Sequence, residues 1–214
     1  MQTLTHGILI TIEGIDGSGK STLSKALYQQ LMAQHCNVVL TKEPGGSKLG
    51  QVIRTVVQER TIAINPLAEF LLFAADRAQH FDEFVLPALN QKKIVISDRM
   101  ADSSVAYQGF ARGLPLESIT AINQWCMRSV QPQLTFYLRI DAQTAFNRIT
   151  ARNQQLTSFE SQKREFTNNV ITGFDTLAQA HPERIVTLDA RKDSACLVKQ
   201  ALEIVELLIR RYCL

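Results

Sequence analysis

Apolar and polar positions along the chain alternate between two periods. Gly7-Ile8-Leu9-Ile10-Thr11-Ile12 is a short, mostly β-branched run with no helical spacing, so it predicts a buried strand. Beyond Lys20, Leu23, Ala26, Leu27 and Leu31 recur at helical intervals and predict a helix. Asn37–Thr41, Lys92–Ser97, Leu134–Ile140 and Arg184–Leu188 read as four further strands. Asn65-Pro66 supplies a capping residue followed by proline at the first helical position. From there Leu67, Phe70, Leu71, Ala74, Ala78 and Phe81 form an apolar face. Leu197, Val198, Ala201, Leu202, Val205, Leu208 and Ile209 do the same in a last helix. Continuous apolar strands between helices imply an α/β, three-layer fold: about five parallel strands covered on both faces. The polar stretch Asn153–Glu165 interrupts the pattern and reads as a mobile surface loop.

The segment between the first strand and first helix carries the strongest chemical signal. Gly14-Ile15-Asp16-Gly17-Ser18-Gly19-Lys20-Ser21 fits the phosphate-cradling P-loop pattern, in the strand–loop–helix setting that pattern requires. Glycines let backbone approach an anion, and the helix N-terminus points unpaired N–H groups at it. Lys20 is expected to reach the β- and γ-phosphates of a nucleotide and the Ser21 hydroxyl to meet magnesium.

Bulk properties narrow the class only mildly. The chain has 214 residues, enough for one domain, and a net charge of +3 with no basic stripe, so a nucleic-acid polymer is not expected as a partner. Cys36, Cys126, Cys196 and Cys213 lie far apart without zinc-ligand spacing. The N-terminal apolar run lacks a basic lead, and no stretch approaches the ~18 apolar residues of a membrane span. The expectation is a cytoplasmic enzyme with no membrane association.

Four other segments offer chemistry. Glu43-Pro44-Gly45-Gly46-Ser47 follows the second strand, where ligands sit in open α/β sheets; a plain strand-to-helix turn explains the spacing equally well. Asp76-Arg77, after Phe73 in the Asn65 helix, is unfavourable to bury unless paired or liganded. Asp98-Arg99 ends the third strand: Asp98 is a magnesium-organising candidate and Arg99 a phosphate fork. Ser103-Ser104 and Tyr107-Gln108-Gly109 follow with groups that can read a base. Arg148 and Arg152 lie four apart beside the polar loop, which makes them candidates to neutralise a transferring phosphoryl group; a solvated basic helix end is the alternative.

In this order, Glu13–Thr22, Lys42–Ser47, Leu71–His80 and Ser97–Gly109 resemble the thymidylate kinase family of P-loop nucleoside-monophosphate kinases. The resemblance implies a single kinase domain over 1–214 with a lid at about 148–165. It implies transfer of the γ-phosphoryl of ATP to dTMP, with magnesium, in a homodimer. By position, Gly14, Ile15, Asp16, Gly17, Ser18, Gly19, Lys20, Ser21 and Thr22 would bind ATP. Ser21 and Asp98 would hold the metal. Asp16, Glu43, Phe73, Arg77, Arg99, Ser104, Tyr107 and Gln108 would bind dTMP: Phe73 stacked on the base, Arg77 against it, Arg99 on the phosphate, Ser104 and Gln108 at the base edge, Tyr107 on the sugar. Lys20, Asp16, Arg99, Arg148 and Arg152 would be catalytic. The chain departs from the family at Lys42, Met100 and Gly17, and in the lid, where Thr157-Ser158 replace a frequent Asp-Arg.

Other readings remain open from the residues alone. Another nucleoside-monophosphate or deoxynucleoside kinase shares the first motif, and a module that binds ATP without transfer is compatible with it. A GTPase would need a guanine-reading N/T-K-x-D element, which is absent, and the glycine order is wrong for a dinucleotide-binding oxidoreductase.

Overall fold

In a computed structural model, which describes residues 4–59, 62–151, 157, 159–160 and 164–213, five strands form one parallel sheet. They are β1 (Ile8–Glu13), β2 (Val38–Lys42), β3 (Ile94–Asp98), β4 (Leu134–Arg139) and β5 (Ile185–Asp189), in the spatial order β2-β3-β1-β4-β5. The helices are α1 (Lys20–Ala33), α2 (Lys48–Glu59), α3 (Pro66–His80), α4 (Leu86–Asn90), α5 (Ala101–Ser104), α6 (Leu116–Cys126), α7 (Ala142–Thr150), α8 (Arg164–Ala180) and α9 (Ser194–Tyr212).

Strand periodicity splits the core in two. Ile8, Ile10, Ile12, Ile94 and Ile96 join one apolar cluster with Leu27 and Leu31 of α1 and Val205 of α9. Leu9 and Val95 point the other way, into a cluster with Phe81, Val85 and Met127. Covering both faces in this way produces the three layers that the apolar strands predict.

Four of the five strands end one residue later than the apolar runs suggest, on Glu13, Lys42, Asp98 and Asp189, whereas β4 stops at Arg139, one residue before the expected Ile140. Backbone pairing carries those four past their last core position, and in β4 the pairing stops before buried Ile140; a polar side chain stands at every carboxyl edge. The Asn65 helix starts as expected: Asn65 Oδ1 accepts from the Ala68 N–H at 2.8 Å and Pro66 takes the first position. Its apolar face is narrower than the spacing indicates. Phe70, Ala74 and Phe81 are buried, but Leu67 is 53% and Leu71 46% exposed, turned outward beside α2. Buried positions of the same helix go instead to Glu69, Asp76, Arg77 and His80. No helix among the described residues is long and apolar enough to cross a membrane.

Candidate active site

The carboxyl edges of β1, β2 and β3 open into a cleft of about 1130 Å³. One end is the loop between β1 and α1. Gly17 has φ of +82°, and a Cβ there would lie 2.5 Å from the Ala145 carbonyl oxygen of α7. A longer residue at this position, including an arginine, is therefore shut out by backbone. Gly19 caps α1 in a left-handed conformation, and the Leu23 and Thr22 N–H groups bond back to its carbonyl.

Lys20 is folded over the loop. Its Nζ donates to the Ile15 carbonyl at 2.8 Å and lies 3.6 Å from Asp16 Oδ1. Burial, helped by the neighbouring Arg99 charge, pulls its pKa down to about 8. The Ser21 hydroxyl donates to Asp98 Oδ2, so the loop and the end of β3 bring a hydroxyl and a carboxylate oxygen together. Such hard oxygen donors fit Mg²⁺, which binds through few protein oxygens and completes its shell with water and phosphate.

Arg99 forms the bridge between the two ends of the cleft. Its backbone has φ of +73°, an uncommon conformation for a side-chain-bearing residue and one that clusters at functional sites. The guanidinium donates to the Asp16 carboxylate, to the Gly14 carbonyl at 2.8 Å, to Ser103 Oγ at 3.1 Å and to Tyr107 Oη at 3.3 Å. Burial opposes its charge, but Tyr107, Asp16, Asp98 and Glu13 outweigh that and raise its pKa. Beneath it, buried Glu13 accepts from the Met100 N–H at 2.7 Å and the Ser103 hydroxyl at 2.6 Å. Burial, reinforced by nearby Asp102, pushes the Glu13 carboxyl up to about 8. Asp102 is in turn clamped by Arg184 at 2.7 and 2.9 Å.

The other end is walled by α3 and by α5 and its continuation. Arg77 is only 2% exposed yet lines the cleft. It donates to Glu43 Oε2 at 2.9 Å, Asn123 Oδ1 at 2.6 Å and Ser104 Oγ at 3.2 Å. Its sequence neighbour Asp76 turns away and accepts from the Gly45 N–H at 3.2 Å. The buried arginine is therefore paired across elements and not with the adjacent acid. Glu43 is also tied to His80, whose other ring nitrogen meets Thr41 Oγ1 at 2.7 Å. Burial alone would raise the Glu43 pKa, but Arg77 and His80 reverse it and hold the carboxyl below its ordinary value. Asp76 has less help, and burial followed by the Glu43 charge lifts it to about 6.

Val105–Ala111 continues α5 as a widened π-helical turn, a form common at functional sites, and sets Tyr107 and Gln108 on the cleft wall. Phe73 faces Phe159 with ring centres 6.0 Å apart, and Tyr107 meets the same ring edge-on at 5.9 Å. Arg148, in the last turn of α7, reaches the cleft mouth. Arg152 lies outside the described residues, as do Ser158 and Lys163.

The structure thus brings Asp16, Lys20, Ser21, Glu43, Phe73, Arg77, Asp98, Arg99, Ser104, Tyr107, Gln108 and Arg148 to one cleft. Sequence reading missed the supporting groups Thr41, Glu69, His80, Asn123 and Phe159. Their partners lie far away in the chain, so no local spacing marks them. A family model described as thymidylate kinase matches residues 12–201. A thymidylate kinase of Clavibacter sepedonicus is 44% identical over 184 residues, covering 86% of this chain and 87% of that protein. One from Oceanobacillus iheyensis is 36% identical over 201 residues, covering 93% and 89%. The crystal structure of thymidylate kinase from Ehrlichia chaffeensis superposes with a TM-score of 0.76 at 32% identity, covering 93% of this chain and 98% of that one.

Proposed function

The chain belongs to the thymidylate kinase family and moves the γ-phosphoryl of ATP to dTMP, and from its cleft we propose how its residues divide that work. The product dTDP leads on to dTTP. Residues Gly14 to Thr22 cradle the ATP phosphates through backbone N–H groups and the α1 N-terminus. Lys20 leaves the Ile15 carbonyl for the phosphate oxygens. Ser21 and Asp98 hold magnesium, which when bound offsets charge on the transferring phosphoryl group. Arg99 grips the dTMP phosphate while Asp16 orients the sugar hydroxyl. Phe73 stacks on the thymine, Arg77, Ser104 and Gln108 meet its polar edge, and Tyr107 packs against the sugar. Glu43 contributes by fixing Arg77.

The observation that carries this division is the Arg99 bridge. One guanidinium touches the phosphate loop through Gly14 and Asp16 and the opposite wall through Ser103 and Tyr107, so donor and acceptor phosphates converge on it. Catalysis is then mostly positioning and charge stabilisation, as phosphoryl transfer requires. An ADP-release assay over a panel of nucleoside monophosphates, with and without magnesium, tests it. The expected result is fastest turnover of dTMP and none without the metal. Turnover independent of magnesium would remove the role given to Ser21 and Asp98.

We read 1–214 as one kinase domain with a lid at about 148–165, because one sheet and its two packed faces account for the described elements. Arg148 and Arg152 supply positive charge from that lid, since backbone blocks a cation at Gly17. The enzyme acts as a homodimer in the cytoplasm, where ATP is held and thiols stay reduced. The dimer is supported by Leu49, Val52, Val56, Leu67 and Leu71, which expose apolar side chains on the adjacent helices α2 and α3.

A further inference from the structure

Glu69 stands one side chain behind the cleft. It is 1% exposed, in the first turn of α3, and does not line the cavity itself. Its Oε1 accepts from Gln108 Nε2 at 2.9 Å and from Arg112 Nε at 3.3 Å, and its Oε2 accepts from Arg112 Nη2 at 3.3 Å. Gln108 is buried to the same degree but does line the cleft, as do Phe73, Arg77 and Ser104.

Hydrogen-bond chemistry fixes which end of Gln108 faces which way. A carboxylate only accepts, whereas a primary amide has one donor end and one acceptor end. Gln108 must therefore give its NH₂ to Glu69, which leaves the carbonyl oxygen on the opposite branch. Arg112 donates to both Glu69 oxygens and so holds the carboxylate in that register. Ser104 is fixed by the same logic. The Arg77 guanidinium only donates, so Ser104 Oγ accepts from it at 3.2 Å and its hydroxyl hydrogen is left for another acceptor.

We propose that Glu69 is a specificity-determining positioning residue: by locking the Gln108 amide with its carbonyl toward the cleft, it selects bases that offer a ring N–H. Thymine carries one donor on its pairing edge, N3–H between two carbonyls, and a carbonyl on the wall bonds there. Cytosine in the same pose sets the bare N3 lone pair against the Gln108 oxygen, and two buried acceptors then face each other without a proton. An amide free to turn over would serve both bases. The inference rests on the reading of Gln108 as a base-edge group, and it adds the residue that gives that group its polarity.

Three variants separate the two ideas: Gln108→Met, Glu69→Gln, and the exchanged pair Glu69→Gln with Gln108→Glu. The readout is kcat and KM for dTMP and dCMP, with melting temperature recorded alongside. Gln108→Met removes the carbonyl and narrows the dTMP-over-dCMP ratio of kcat/KM by about tenfold or more, mainly through KM. Glu69→Gln narrows it comparably, because the new side chain can donate as well as accept and the Gln108 amide can invert. The exchanged pair regains the ratio, since the amide at 69 donates to the carboxylate at 108, whose second oxygen faces the base. A wild-type ratio in Gln108→Met overturns the base-edge reading itself. A narrowed ratio there with a wild-type ratio in Glu69→Gln overturns only the role of Glu69. Should Glu69→Gln fail to fold, the exchanged pair decides: a folded pair as unselective as Gln108→Met overturns the proposal.

Discussion

The Arg99 guanidinium donates to the Asp16 carboxylate, tying the end of β3 to the phosphate loop. A phosphate ester binding beside Phe73 shares that guanidinium and gains a charge-assisted contact already aimed by Gly14 and Ser103. Arg99→Ala therefore weakens dTMP by about 2–4 kcal/mol, with a smaller effect on ATP. Separate KM determinations for the two substrates check this. A rise in KM for ATP with KM for dTMP unchanged would move Arg99 to the other pocket.

Lys20→Ala lowers kcat by about 10²-fold or more, because charge stabilisation of the transferring group is lost. Among the described residues the side chain bonds within its own loop, to Ile15 and Asp16, so the circular dichroism spectrum stays that of the parent. A pH profile adds an independent check. Lys20 is protonated below its depressed pKa of about 8, and only that form attracts phosphate. The kcat/KM for ATP, which reports the free enzyme, falls as pH passes 8. Bound phosphate restores the lysine charge, so kcat at saturating ATP holds to higher pH.

Glu13 gives a stability prediction. Its folded pKa of about 8 lies above the ordinary 4.5, so the folded protein keeps a proton that the unfolded chain loses. The contribution is complete below pH 4.5, declines as pH rises through the window to 8, and is flat above. Glu13→Gln stays neutral and can bond both the Met100 N–H and Ser103. Urea unfolding from pH 5 to 8.5 is expected to show a shallower decline for the variant. Parallel curves would mean that Glu13 is already ionised at neutral pH.

The five strands and helices α1, α3 and α9 were legible in the sequence because burial imposes periodicity, and the phosphate loop because its chemistry is local. Glu43, Arg77 and Arg99 were legible as candidates from their own segments, and the family pattern assigned their roles. What holds them was not. Arg77 is paired with Glu43, Asn123 and Ser104 from three other segments, and nothing near residue 77 announces them. Leu67 and Leu71 misled for a related reason: the spacing marks an apolar face without saying whether this chain or another one covers it.

That exposed pair yields a further test. Leu71→Arg puts charge in the centre of the α2–α3 face and is expected to convert a dimer to a monomer in light scattering, with folding intact because Leu71 is already half exposed. A monomeric parent protein would refute the assembly outright.

For the proposed lid, Arg148→Ala and Arg152→Ala are expected to lower kcat and kcat/KM together by about 10²–10⁴-fold, with ATP binding little changed. Arg148 already stands at the cleft mouth. Both single variants and the double are measured, and if all three keep full kcat, Arg164 or Lys163 becomes the donor to examine.

The strand order also has a consequence for synthesis. β1 lies at the centre of the sheet but is the first of the five strands to leave the ribosome, while its neighbours β3 and β4 begin at residues 94 and 134. At about 5–20 residues per second, β1 waits on the order of 4–17 seconds for β3 and longer for β4. During that time Ile8–Glu13, whose side chains are all buried in the finished fold, has both hydrogen-bonding edges open. Helix α1 can shield one face meanwhile, but neither edge. The nascent chain is therefore most prone to association before residue 134 emerges, and a trigger-factor-type holdase acting on short chains would raise the yield more than one acting after release.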